Sequence, residues 1–161
     1  READLAIRMR APVQADLIQR KLFTVHYHMY ATKEYLEKYG TPHAMDDIAD
    51  HTIVAYGETA APEIREINWL LEATRRRLNG KGRTIRINNV TGILSATEAG
   101  IGIAAVPDYV AADRPHLIRV LPDISGPCFD VHLVYADALR QAKRVGAFRD
   151  FLVRSARDWR Y

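Results

Sequence analysis

The chain holds a single cysteine, Cys128, among its 161 residues. One thiol excludes an internal disulfide and a multi-cysteine metal site, and it fits a reducing compartment. No stretch approaches the roughly 20 apolar residues that a membrane helix needs, so no membrane partner is expected. No basic, apolar, small-residue leader stands at the start, so nothing there directs export, and a cytoplasmic location is expected. Neither sign of charge dominates, with 23 lysines and arginines against 20 acidic residues. The net charge is +3 without any long basic run, which argues poorly for direct nucleic-acid binding by this segment. Ser95 has no Gly-x-Ser-x-Gly elbow around it, so a hydrolase nucleophile is not expected there. There is no fixed-period repeat and no low-complexity tract.

What is present is ordinary for a globular protein. Hydrophobic residues make up 48% and charged residues 27%, enough for one real core in a single domain or two small lobes. The basic side is mostly arginine, whose planar fork suits carboxylates and phosphates. The chain begins at Arg1, almost inside a strand, and reads as a fragment of something longer.

Patterning predicts strands at Ala3 to Arg8 and at Leu22 to Ala31, the second a β-branched and aromatic run. Thr32 then caps a helix with Tyr35, Leu36 and Tyr39 on one face, stopped by Gly40 and followed by Pro42. "MDDIADH" reads as one helical turn, Thr52 to Tyr56 as a strand, and Gly57 to Pro62 as a loop. "INWLLEA" fits two periods. Ile67, Trp69 and Leu71 alternate, while Ile64, Ile67 and Leu71 fit a helix; the strand is the reading taken here. "TRRRLNGKGR" reads as a polar connection. Further on come a strand (Thr84 to Asn88), a helix (Thr91 to Ala99), a buried strand (Ile101 to Val106), and a short helix with Pro107 in its first turn. "HLIRVLP" and Asp130 to Ala136 follow as strands. A long amphipathic helix, Leu139 to Trp159, closes the chain with Val145, Phe148, Phe151 and Leu152 on its apolar stripe. Strands alternating with helices predict an α/β class with largely parallel pairing.

"NNVTGILSATEAGIGIAAVP" (Asn88 to Pro107) contains a Gly-Ile-Gly. A dinucleotide loop needs its glycines after a strand and before a helix. Gly100 and Gly102 come after a helix and before a strand, and Ala105 stands where a third glycine belongs. Gly100 is better read as a left-handed helix cap. The other end of that helix carries more functional weight. Asn88 to Thr91 lie where a strand hands over to a helix, so free N–H groups and a positive dipole end point outward. Ligands of open α/β sheets bind beyond the carboxyl ends of strands. Asn89 or Thr91 also suits plain capping, and the two roles are compatible.

Other chemistry-bearing residues read more blandly. His26 and His28 share one face of a strand, and His132 is the only candidate third ligand; hydrogen bonding without a metal is the better reading. Cys128 has no local base to activate it. Asp46, Asp47 and Asp50 suit a solvated turn. Arg75, Arg76 and Arg77 suit a solvated loop. No catalytic set, metal site or cofactor site emerges, and binding is favoured over chemistry.

"VHYHMYA" and "VHLVYA" echo each other and bracket the block from Thr32 to Asp130, as expected for a lobe inserted through two hinge strands. Six strings, in order and spacing, carry a wider likeness: "ADLAIR", "MYATKEYLEKYGTP", "DDIADHTIV", "IRINNVTGILSATEAGIGIAAVPDYVAAD", "LIRVLPD" and "VHLVYADALRQAKRVGAFRDFL". Together they resemble the regulatory domain of LysR-type transcriptional regulators.

The resemblance implies a two-lobed, type II periplasmic-binding-protein-like fold. Its crossover strands would be Phe23 to Ala31 and Asp130 to Ala136. Lobe I would take residues 1–30 and 131–161, and lobe II residues 31–130. The first strand-helix-strand of lobe I and an N-terminal winged helix-turn-helix would be absent from this chain. A small effector would sit between the lobes, and the full protein would bind DNA as a homodimer or homotetramer. Matched onto this sequence, the cleft-facing positions are Ile7, Arg8 and Met9; Ala31, Thr32 and Lys33; Asn89, Val90, Thr91 and Gly92; and Val106 and Pro107. The threonine hydroxyls, Arg8 and Lys33 suit a small carboxylate. A transporter's solute-binding protein would share this fold, and so would an enzyme built on it; the long terminal helix favours the regulators, and no catalytic set supports the enzyme.

Overall fold

The computed structural model of the chain describes residues 3–9, 14, 16–57, 66–78, 83–157 and 159. The elements are β1 (Leu5–Arg8), β2 (Leu17–Thr32), α1 (Lys33–Tyr39), a 3-10 turn (Asp47–Asp50), β3 (Ile53–Tyr56), α2 (Trp69–Leu78), β4 (Thr84–Ile87), α3 (Val90–Glu98), β5 (Ile103–Pro107), α4 (Asp108–Ala111), β6 (Leu117–Val120), β7 (Cys128–Ala136), a second 3-10 turn (Asp137–Leu139) and α5 (Lys143–Arg157). The chain divides into two compact units. One takes residues 1–25 and 128–161, the other His26–Pro127. The long strand β2 carries the chain from the first into the second.

In the first unit β7 lies between β1 and β2. β1 runs antiparallel to β7, with Leu5 opposite Tyr135 and Arg8 opposite His132. Phe129, Val131, Leu133 and Tyr135, two residues apart along β7, are all buried. Leu133, Tyr135 and Val145 of α5 form the core there, with Leu5, Ile18, Leu22, Leu139 and Leu152 packed on it. α5 begins at Lys143, not at Leu139, where a 3-10 turn stands instead. Its buried positions are Val145 and Ala156, with Leu152 packed between them. These three fall within about 40° of one another around the helix at about 100° per residue. Phe148 and Phe151 fall outside that arc, so the expected four-residue stripe does not hold. They are 48% and 55% exposed and stack on each other at 6.4 Å.

The second unit is a sheet covered on both faces. β2 pairs antiparallel with β5 and, on its other side, with β6; β5, β3 and β4 run parallel to one another. Strand residues alternate between two cores. Met29, Ala31, Ile53, Ala55 and Ile103 face one way, toward Tyr35 and Leu36 of α1, Ile48, and Leu70 and Leu71 of α2. Tyr30, Val54, Ala104 and Val106 face the other, toward Ile93, Leu94 and Ala96 of α3 and Ala111 of α4. Burial on both faces explains why these strands read as continuous apolar runs. Of the pairs β1·β7, β2·β5, β2·β6, β3·β4 and β3·β5, the first three are antiparallel and the last two parallel, so the expectation of largely parallel pairing is corrected.

The segment read as strand at "INWLLEA" is helical. Ile67, Leu70, Leu71 and Thr74 are buried at spacings of three, four and seven, while strand alternation would have left Leu70 outside. Thr74 returns its hydroxyl to the Leu70 carbonyl at 2.9 Å. The helix also absorbs Thr74 to Leu78, the first half of the stretch expected to be a polar connection. The side chains of Arg75 to Arg77 and residues 79–82 of that connection lie outside the described residues, as does most of the expected loop from Gly57 to Pro62. The remaining expected elements stand within a few residues of their predicted limits. Thr32 caps α1 by accepting from the Tyr35 N–H at 3.2 Å. Gly100, at φ +68°, follows α3 in the left-handed conformation expected of it.

Two predictions come from this packing. Gly126 lies against Trp69. A Cβ added there would stand 2.4 Å from the indole nitrogen and 2.8 Å from the Tyr27 carbonyl oxygen. Gly126→Ala should cost about 1–3 kcal/mol by overpacking, read from chemical denaturation. His51 is buried beside the Tyr35 hydroxyl, its Nδ1 at 3.3 Å, and burial pulls its pKa below the usual 6.5 despite the opposing charges of Asp50 and Asp47. The unfolded chain then binds that proton more readily than the native one. The stability this contributes is complete above pH 6.5 and is lost as pH falls below it. The thermal midpoint should drop between pH 7.5 and 5.5, at values chosen to bracket about 6.5, and His51→Gln should flatten that dependence.

Candidate functional site

Because β3, β4 and β5 are parallel, their carboxyl ends meet at one edge of the second unit. Tyr56 is opposite Ile87, and the Gly57 N–H donates to the Ile87 carbonyl at 3.3 Å. The antiparallel β2 sets Tyr27 beside Pro107 and His28 beside Val106 at the same edge. α3 starts there. Asn89 is its N-cap, in extended conformation, and its Oδ1 accepts from the Gly92 N–H at 2.7 Å. The side chains of Asn89 and Thr91 are exposed. The N–H groups of Val90 and Thr91 fall in the first helical turn, where no intrahelical acceptor exists. The capping is done by Asn89, and Thr91 in the first turn of α3 is left exposed beside it.

The predicted site residues separate into three groups. Asn89, Val90, Thr91, Gly92, Val106 and Pro107 lie at this edge. Val106, however, is fully buried and points into the core with Tyr30, Ile93 and Ala104, so its side chain is not available to a ligand. Pro107 is the N-cap of α4 instead of a first-turn residue. Thr32 and Lys33 lie at the opposite edge. Thr32 is paired with Leu117 and stands five residues along β2 from Tyr27, roughly 16 Å at about 3.3 Å per residue. Thr32 is buried with its hydroxyl committed to the α1 cap, Ala31 is in the core, and Lys33 points to solvent with Glu37 at 3.6 Å. The reason is direction: β2 runs against its neighbours, so its carboxyl end meets their amino ends. Ile7, Arg8 and Met9 belong to the first unit, at the end of β1, and all three are exposed.

The same edge holds a polar network that sequence reasoning missed. His28, 6% exposed, contacts Asp108 through Nδ1 at 2.7 and 2.9 Å to the two carboxylate oxygens. Its Nε2 is 3.1 Å from Ser125 Oγ. The Tyr30 hydroxyl donates to Asp108 Oδ1 at 3.0 Å. Burial, and then the Asp108 charge and hydrogen bond, push Tyr30 up to about 12. Nearby phenols respond likewise. Tyr27 is raised by burial and by Tyr56 and Tyr109, and Tyr56 by burial and Tyr109, so all stay neutral donors at physiological pH. The alternation along β2 places His28 and Tyr30 on one face, but Asp108 and Ser125 are 80 and 97 residues away from His28. No local pattern joins them. Among the described residues no three His, Cys, Asp or Glu side chains are grouped to hold a metal. His26 is exposed, and His132 bonds its own strand at the Asp130 carbonyl, 3.1 Å away. Cys128 is the first residue of β7 and is exposed.

The cap is directly testable. Asn89→Ala removes the acceptor for the Gly92 N–H, and the thermal unfolding transition should report a loss of about 1 kcal/mol.

The family of the LysR substrate binding domain matches residues 1–157. An HTH-type transcriptional regulator of Haemophilus influenzae is 29% identical over 139 residues, covering 82% of this chain and 46% of that protein. One from Xanthomonas campestris pv. campestris is 28% identical, covering 94% of this chain and 45% of that protein. The chain spans about half the length of the curated relatives it matches. Among solved structures, the CrgA regulatory domain of Neisseria meningitidis is similar at a TM-score of 0.76 and 22% identity, over 96% of this chain and 76% of that one. Full-length LysG of Corynebacterium glutamicum, solved with its effector Arg bound, is similar at 0.67 and 18% identity, over 96% of this chain and 51% of that one. Both likenesses are to type II periplasmic-binding-protein-like folds. The chain belongs to the LysR substrate-binding domain family.

Proposed function

We propose that this chain is the effector-sensing part of a LysR-type transcriptional regulator, and that it takes a small anionic metabolite at the edge where β3, β4 and β5 end. The observation that carries the reading is the open first turn of α3. The N–H groups of Val90 and Thr91, the exposed Thr91 and the positive end of the helix dipole share that first turn, and together they favour a carboxylate or similar group. The family resemblance supports Ile7, Arg8 and Met9, exposed at the end of β1, as further ligand contacts. Arg8 would supply a bidentate cation. That LysG holds arginine supports a ligand of amino-acid size. The named relatives are HTH-type regulators, which favours this reading over a transporter's solute-binding protein.

Signalling then follows as a population shift. The ligand acts by preferring one arrangement of the domain over another, and no bond is made or broken in sensing. A winged helix-turn-helix outside this chain would carry the DNA contact, in a cytoplasmic homodimer or homotetramer.

The test is calorimetry against small organic acids and their neutral amides. Acids should bind, and at a hundredfold excess over Kd should stabilise the fold by about 2.7 kcal/mol. Thr91→Asp keeps a residue that suits a helix start but sets a negative charge on the site. It should hold the melting temperature and weaken acid binding by about tenfold or more, the order of one unscreened charge contact. Binding of the neutral amides alone would sink the assignment.

A further inference from the structure

We propose that Ser125 is an activated nucleophile, an acylation site for small activated esters, with His28 as its base and Asp108 as the residue that positions the base. The three side chains stand in the order such chemistry requires. Asp108 holds Nδ1 of His28 at 2.7 Å, and Nε2 faces Ser125 Oγ at 3.1 Å. A carboxylate on Nδ1 sets the tautomer with the proton on that nitrogen, which leaves the Nε2 lone pair free to accept from the serine hydroxyl. Burial is graded the right way. His28 and Asp108 have side chains 7% and 16% exposed, while Ser125 is open to solvent. Tyr30 anchors the carboxylate by donating to Asp108 Oδ1.

The loop that carries Ser125 is held in place. The Gly126 N–H donates to the Tyr27 carbonyl at 2.8 Å, the Tyr27 N–H to the Pro127 carbonyl at 3.2 Å, and the Ile124 N–H to the Leu121 carbonyl at 2.9 Å. The loop opens at Leu121 with φ +48°, the only left-handed non-glycine residue among those described. Such strain is retained where the surroundings enforce one geometry, and it gathers at functional positions. A histidine that served only to tie β2 to α4 would need the Asp108 contact alone. An exposed serine satisfies its hydroxyl with water and gains little stability from a buried imidazole.

In the reaction, Ser125 Oγ bonds to the ester carbonyl carbon as its proton passes to His28 Nε2, and the carbonyl electron pair moves onto oxygen. That pair returns, the bond to the leaving oxygen breaks, and the departing alkoxide or phenoxide takes the proton from His28. Ser125 is left as an acyl ester. Water reverses the sequence: His28 takes a proton from water, the hydroxide bonds to the acyl carbon, the bond to Ser125 Oγ breaks as that oxygen takes the proton back from His28, and a free acid is released. The Gly126 N–H is committed to Tyr27, so it is not offered to the developing oxyanion. Esters with good leaving groups are therefore the class expected to react, with acylation outrunning turnover.

The experiment treats the full chain with a fluorophosphonate and, separately, with p-nitrophenyl acetate, and reads intact mass, the modified residue and released p-nitrophenol. One adduct on Ser125 is expected, and Ser125→Ala, a change at an exposed position, should abolish it. His28→Gln should slow labelling by about a hundredfold, the usual worth of a general base. Asp108→Asn should slow it too, and Asp108→Glu should restore part of the loss, which a packing role would not require. No adduct, an adduct on another residue, or an unchanged rate in His28→Gln would overturn the proposal. Neither result bears on effector binding, which calorimetry reads separately.

Discussion

The opposed direction of β2 and β5 governs the second unit. Tyr27 lies beside Pro107 and Tyr30 beside Ala104, while Ile53 and Val54 of β3 lie beside Ile103 and Ala104 in parallel. Shifting that register by one residue would exchange the two faces of β2, sending Met29 to the Tyr30 side and Tyr30 to the Met29 side. Met29 is fully buried against one set of helices and Tyr30 packs against another. Register is thus pinned on both faces at once. It also decides which loops share an edge: the start of α3, the start of α4 and the loop bearing Ser125 come together, and the start of α1 is sent to the far side.

That edge holds the buried His28 within a polar network. His28, Asp108 and Tyr30 satisfy one another, where an unpaired buried member would cost roughly 1–3 kcal/mol, and the exposed Ser125 meets them at the rim. One neighbour lacks this. The Trp69 indole N–H is buried, has no partner among the described residues and lies against Gly126. The first unit handles polarity at its surface: Asp130 accepts from Thr24 at 2.7 Å and pairs with Lys21 at 2.6 Å, and these hydrogen bonds hold its carboxyl below the ordinary range. Half-exposed pairs of that kind contribute little to stability.

Much of the secondary structure was legible because it depends on local signals. Thr32 and Asn89 are strong caps, Gly40 and Gly100 are natural stops, and β-branched runs mark the strands. The failures share a cause. Ile67 to Leu71 satisfied two periods, and the tie was broken by which positions found a core; Leu70 and Thr74 did. Phe148 and Phe151 were assigned inward for being apolar, but the helix turned its narrower Val145–Leu152–Ala156 arc to the sheet.

The candidate site divides along the same line. Asn89 to Gly92 could be found from sequence because a strand ending in a capped helix is a local pattern with a known electrostatic consequence. Thr32 and Lys33 carry the same local pattern, and only strand direction separates the two helix starts. His28, Asp108 and Ser125 had no local signal, since each is an ordinary residue until the chain folds. By itself the sequence determined the class, the caps and the apolar faces, because these follow from propensity and spacing within a few residues. Strand direction, register and the meeting of His28 with Asp108 and Ser125 were decided by tertiary structure, because they are set by contacts between segments far apart in the chain.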